Sequence, residues 1–169
     1  MKKIVALMLL SVLVFAGSSM AAKRQMAVGF QGLTITTNTV TMPTLLYKFN
    51  DSFTGLGGIS FVSQGNTSNF TLAFSGRFPL SKGEKVNTHW GAGLTYTSNP
   101  ALVADSSLLG LCFNVGAEIF FMEDLALDVN IVPLSVWSRS AAGATTTTFA
   151  VLNSVAVPSV VIGAHYYIN

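Results

Sequence analysis

The chain has 169 residues, 50% of them hydrophobic and only 9% charged, with a mean hydropathy of +0.56. Soluble domains carry about 25% charged residues, so this composition excludes an ordinary water-facing surface. Setting aside Lys2 and Lys3 leaves seven basic residues against seven acidic ones, a balance with no nucleic-acid footprint.

Residues 1–21 read as a secretory signal peptide. Lys2-Lys3 is a basic start, Ile4 to Ala16 is apolar but for Ser11, and Ser19-Met20-Ala21 supplies the small residues of a cleavage site. One domain is then expected over residues 22–169. No later stretch reaches the roughly 20 apolar residues that a spanning helix needs. An exported, charge-poor chain without such a helix can cross a membrane only as a closed barrel. Cys112 is the single cysteine, which rules out an intrachain disulfide and makes it a small filler. No cofactor and no metal-ligand set is expected.

Period-2 alternation, the mark of a strand with two unlike faces, recurs eight times from Gln25 onward. The first strand, about Met26–Ile35, sets Met26, Val28 and Phe30 against Gly29 and Gln31. The second, about Val40–Phe49, sets Leu45, Tyr47 and Phe49 against Thr44, Leu46 and Lys48. The third covers about Thr54–Val62 and the fourth about Asn69–Phe78, with Phe70, Leu72, Phe74 and Phe78 opposite Thr71, Ala73, Ser75 and Arg77. The fifth, about Asn87–Thr97, sets Trp90, Ala92, Leu94 and Tyr96 against His89, Gly91, Gly93 and Thr95. Leu109–Pro133 forms a hairpin of the sixth and seventh strands around Met122-Glu123-Asp124. The eighth, about Ser159–Ile168, carries His165 and Tyr167 on one face and Tyr166 on the other.

Short turns follow the second, fourth and sixth strands, at 50–53, 79–86 and 122–124; longer links follow the third, fifth and seventh, at 63–68, 98–108 and about 137–158, and the short link Thr36–Thr39 after the first strand is the exception. That alternation is the pattern of outer-membrane barrels, with turns in the periplasm and loops outside. Trp137 and the Thr145–Thr148 run are placed in the last loop. Pro133 and Pro158 are assigned to the outer ends of their strands, where pairing can stop or bulge, and Pro43 to the outer start of the second, because proline removes a ladder hydrogen bond and a closed barrel has no free edge to accommodate it.

One face of nearly every strand is rich in Phe, Leu, Val and Ile, while the other is small or polar with few charges. A soluble barrel would put charges outside, whereas a membrane barrel inverts the polarity. Phe49, Phe53, Phe78, Trp90, Phe121 and Tyr166 fall beside the periplasmic turns, and Phe61, Phe70 and Tyr96 near the opposite ends, as two aromatic belts would. The expected fold is all-β: an eight-stranded antiparallel up-and-down transmembrane β-barrel following a cleaved signal peptide.

The stretch Phe120-Phe121-Met122-Glu123-Asp124-Leu125-Ala126-Leu127-Asp128 resembles the aromatic, acidic-turn, Leu-Ala-Leu hairpin of OmpA- and OmpX-like barrels. With its export signal, eight alternating strands and aromatic-rich last strand, the chain is similar to the small outer-membrane β-barrel superfamily of Gram-negative-type bacteria. The resemblance implies an outer-membrane location with both termini in the periplasm, outer-membrane lipids as surroundings, and the outer-membrane assembly machinery as a partner. The chain departs from the family at its end, Tyr166-Tyr167-Ile168-Asn169, where members usually finish on an aromatic residue.

The inward face gathers Lys48, Arg77, His89, Glu118, Asp128 and His165 near the periplasmic end, a polar and ion-pair layer in which Arg77 is expected to meet Glu118 or Asp128. Such a layer serves either as a constriction or as a brace filling the barrel floor. No His lies beside the serines near the outer rim (Ser98, Ser106, Ser107, Ser135, Ser138), so catalysis is not expected. The expected role is structural or surface-interacting, with weak pore activity at most. The alternatives are a transporter of small hydrophobic solutes and a soluble exported ligand-binding barrel.

Overall fold

A computed structural model describes residues 25–35, 38–64, 66–100, 106–151 and 160–168; the expected signal peptide, Pro158 and Asn169 lie outside them. The strands are β1 (Met26–Ile35), β2 (Asn38–Asn50), β3 (Phe53–Gln64), β4 (Thr67–Lys82), β5 (Val86–Ser98), β6 (Ser106–Phe120), β7 (Leu125–Ala141), β8 (Ala144–Val151) and β9 (Val160–Ile168). Each of β1 to β7 pairs antiparallel with the next, and β9 bridges β7 to β1, which closes an eight-membered up-and-down barrel. β8 and β9 share the eighth place. β9 lies along β7 from Leu125↔Tyr166 to Ile131↔Val160, and β8 lies along it from Leu134↔Val151 to Ala141↔Ala144.

The strands tilt. Partners followed around the wall from Met26 run through Tyr47, Gly55, Gly76, Ala92 and Phe113 to Leu134, which lies well along β7 rather than at its start. Such a stagger accompanies closure of a tilted sheet. The turns at Asp51-Ser52, Gly83–Lys85 and Phe121–Asp124, together with Gln25 and Ile168, mark one end, here termed the turn end.

Most strands run further than the alternation suggested, β7 and β4 most of all. β7 does not stop at Pro133 but continues to Ala141, and residues 144–151 of the expected loop form β8. The ladder passes Pro133 by a bulge: Phe113 pairs with Leu134 but Val115 pairs with Ile131, so Asn114 faces two residues of β7. A bulge is where a missing N–H costs least. β4 likewise passes Pro79 and ends at Lys82, with an irregularity between Pro79 and Ser81, so its turn is shorter than expected. Pro43 lies within β2, paired with Phe30, and not at the start of the strand.

The bulge also moves Trp137. Below it the even positions Ala126, Asp128, Asn130 and Val132 are buried; above it the odd positions Ser135 and Trp137 are. Trp137 is therefore inside the barrel, not in a loop, packed with Met42, Leu108, Val132 and Val161. A second cluster, Ala27, Leu46, Leu56, Ala126 and Tyr167, packs within the turn-end half. Glycine makes room for the largest interior groups: a Cβ at Gly110 would strike the Trp137 ring, and one at Gly58 would come 2.6 Å from Met42 Sδ.

Gly110→Leu is expected to lower stability by about 1–3 kcal/mol through overpacking against Trp137. Denaturant unfolding in detergent checks this, and a smaller residue at Trp137 in the same chain should recover part of the loss.

Candidate functional site

The interior of the turn-end half is polar, and its centre is an ion pair. Arg77 on β4 reaches across the barrel to Asp128 on β7, with Nη2 2.5 Å from Oδ2. Both are buried, Arg77 at 4% exposure and Asp128 at 0%. Asn130 organises the neighbours of that pair: its Nδ2 donates to Asp128 Oδ2 at 2.9 Å. Its Oδ1 accepts from Asn114 Nδ2 at 3.0 Å and lies 2.8 Å from His89 Nε2. His89 Nε2 is also 3.8 Å from Asp128 Oδ1. His165 Nε2 lies 3.2 Å from Thr44 Oγ1, and the Tyr167 hydroxyl donates to Glu118 Oε1 at 2.5 Å.

Inward glycines give these side chains their space. A Cβ at Gly116 would crowd Asn130 and His89, one at Gly91 would crowd Asn114, and one at Gly29 would crowd His165. Strand alternation points every member of the network inward, and the absence of a side chain at these positions lets long polar groups lie across the lumen.

Of the residues singled out from sequence, Arg77, His89, Glu118, Asp128 and His165 are buried inside. Arg77 takes Asp128 as its partner, while Glu118 is held by Tyr167. Lys48 is set apart at the rim, where it pairs with Asp51 at 2.7 Å; Lys82 Nζ lies 3.8 Å from the same carboxylate. Lys48 holds the Asp51 carboxyl below its ordinary value, first by hydrogen bonding and then by its charge, with Lys82 adding to the effect. Tyr167, Asn130, Asn114 and Thr44 belong to the network but carry no formal charge, so a search for charged residues passes over them. Their shared inward face was the available signal.

Behind the rim a cavity of about 250 Å³ opens at the turn end, with Lys48, Lys82, Arg77 and Glu118 among its walls. Beyond the polar layer the lumen holds the apolar cluster around Trp137 and Met42 together with the buried hydroxyls of Ser60, Thr71, Thr95 and Thr97.

The outer surface has the opposite character. Phe30, Ile59, Phe61, Leu94, Leu111, Ile131 and Ile162 are among its exposed large apolar residues, with Phe61 at 66%. Among the described residues the charges outside the lumen lie in or beside the turns, except Arg139 near the far end. Aromatic rings form a row on the wall: Tyr47, Phe49, Phe53, Phe78, Trp90 and Phe113 contact one another in series, with centroids 4.6–5.9 Å apart. Phe49 lies against Gly55 and Phe53 against Gly76, so these rings lean over the neighbouring strand. Tyr47 and Phe113 join this row in addition to the residues named from sequence. Tyr166 and Phe121 are exposed near the same end; Phe61, Phe70 and Tyr96 lie towards the other. No protein-family model matches the chain, and no curated protein matches it significantly.

Removing Arg77 leaves Asp128 buried without a cation, and Arg77→Ala should cost about 3–5 kcal/mol, less where water reaches the site. A double-mutant cycle with Asp128→Asn should show strong coupling; additive effects would refute the pairing. Tyr167→Phe should cost about 1–3 kcal/mol by stripping Glu118 of its donor, read by the same unfolding measurement. The lowered Asp51 value means that its contribution is present above the ordinary carboxylate range and is lost as pH falls through the folded value. NMR titration should find the Asp51 midpoint below 3.8 and rising towards it in Lys48→Ala.

Proposed function

We propose that the chain is an outer-membrane β-barrel protein of a Gram-negative-type bacterium, with a structural or surface-interacting role and no catalytic activity. The observation that carries this reading is the inversion of polarity: an apolar wall whose charges are confined to its ends surrounds an interior of Arg77, Asp128, His89, Asn130 and His165. Monomers in water rarely expose contiguous apolar patches beyond a few hundred Å². A wall of this kind suits hydrocarbon, where a closed ladder satisfies the backbone and only the ends need charge.

The aromatic row beside the turn end matches the girdle of such a barrel at one membrane interface. In this orientation the turns and both termini lie in the periplasm, the β7–β8 hairpin lies outside, and residues 1–21 serve as the export signal. Lipid and the outer-membrane assembly machinery are the partners, in keeping with the resemblance of Phe120–Asp128 to OmpA- and OmpX-like hairpins. A wide pore is disfavoured because Trp137, Met42, Leu108, Val132 and Val161 fill the lumen above the Arg77–Asp128 pair. The soluble ligand-binding barrel is disfavoured by the wall itself. Transport of small hydrophobic solutes needs a lateral route, and a feature of the β2–β3 contact favours keeping it as the second reading.

The folded chain, extracted in mild detergent, should migrate differently on gels before and after boiling, and should need detergent to stay in solution. Identical migration together with solubility in plain buffer would sink the membrane reading. Planar-bilayer recordings should show conductance that is weak or absent.

A further inference from the structure

The wall is not paired along its whole height. β2 and β3 pair from Asn50↔Phe53 up to Thr44↔Gly58, and among the described residues no pair joins them beyond that point. Residues 38–43 of β2 continue to pair with β1, and residues 59–64 of β3 continue to pair with β4. Two intact hairpins thus stand side by side with a seam between them. Pro43 sits where the seam begins, one residue beyond Thr44, and proline offers no N–H to a ladder.

The seam has a distinct lining. Ile59 and Phe61 are exposed on its outer lip, and Val62, which alternation turns towards the lumen, is 47% exposed. Met42 stops its inner mouth, 1% exposed, against Gly58 and within the cluster of Trp137, Val132 and Val161. Methionine is the apolar side chain best able to swing aside without strain. Trp137 is 4% exposed, and its Nε1 has no acceptor among the described residues, a lone donor inside an apolar cluster.

Unpaired strand edges are not tolerated facing hydrocarbon; they occur where protein or a lined cavity covers them. The seam starts below Phe61, the aromatic residue nearest the far interface on β3, so its lower part lies within the apolar band. Its edges offer polar backbone and its mouth offers apolar side chains. That combination fits a molecule with one alkyl chain and a small oxygen-bearing head. The cavity at the turn end, walled by Lys48, Lys82, Arg77 and Glu118, does not suit an alkyl chain.

We propose that the seam between β2 and β3 is a lateral port through which a single-chain amphiphile of fatty-acid type passes from the membrane into the loop-end interior. The alkyl tail takes the place of Met42 against Val132 and Val161, and a carboxyl oxygen accepts from Trp137 Nε1–H. The port rests on the membrane reading above and gives the second reading, transport of small hydrophobic solutes, a route and a substrate class.

The chain's two tryptophans, Trp90 on the outer wall and Trp137 inside, make the test direct. The full chain is folded into phosphatidylcholine vesicles, and in Trp90→Phe only Trp137 emits. Adding 9,10-dibromostearate should quench Trp137, and Met42→Ala should deepen the quenching. Extending the register beyond Thr44↔Gly58 would set position 42 opposite position 60. In a Cys112→Ser background, Met42→Cys with Ser60→Cys should therefore lock the seam when oxidised, abolishing the quenching, and reduction should restore it.

Quenching that survives oxidation overturns the port. So does a Trp137 that stays bright with dibromostearate while dibrominated phosphatidylcholine quenches Trp90 in the unaltered chain, an outcome that leaves the membrane reading standing. Trp90 left bright by the brominated phospholipid overturns the membrane reading itself. Where the cross-linked chain does not fold, Trp90→Phe with and without Met42→Ala decides the question.

Discussion

Every charge that this barrel places between its two ends has to be matched inside, and the Arg77–Asp128 pair is the match on which the interior depends. Separating buried ions from water costs several kcal/mol each, which good geometry and further hydrogen bonds must offset. Asn130 donates to the carboxylate that Arg77 holds, and it ties His89 and Asn114 to the same point. β4, β5, β6 and β7 are thereby joined across the lumen as well as along the wall. Ladder hydrogen bonds alone leave the curvature of a sheet soft, and a cross-lumen bond of this kind fixes which strands face each other.

The glycines are the counterpart of this arrangement. A narrow barrel has little spare interior volume, so a long side chain from one strand needs a bare position on the strand it meets. Gly110 faces Trp137, Gly58 faces Met42, and Gly116 faces Asn130 and His89. On the outer face Gly55 and Gly76 do the same for Phe49 and Phe53. Small residues in this chain therefore mark where something large is being received.

The strands were legible because a period of two survives in almost every segment, and the sides of Arg77, His89, Glu118, Asp128 and His165 followed from it. What alternation could not supply was distance across the lumen. Arg77 and Asp128 lie on strands that do not adjoin, so their meeting is set by the tilt and stagger of the closed wall and not by local sequence. Pro133 was misleading for a local reason: proline usually ends a strand, and only the extra residue opposite Asn114 lets the ladder pass it. Reading the strand as finished there moved Trp137 into a loop. Tyr167 and Asn130 stood on the correct face but lacked the charge that draws attention to a site.

The same bulge gives β7 two phases. Below Pro133 the strand shows its even residues to the lumen, and above it the odd ones. Were the same residues paired without the bulge, the upper strand would slide by one residue against its neighbour. The groups now at Leu134, Val136 and Ser138 would then face the lumen, and the Trp137 ring would turn outward. The bulge near the middle of β7 thus selects which of two complete side-chain sets faces the loop-end half.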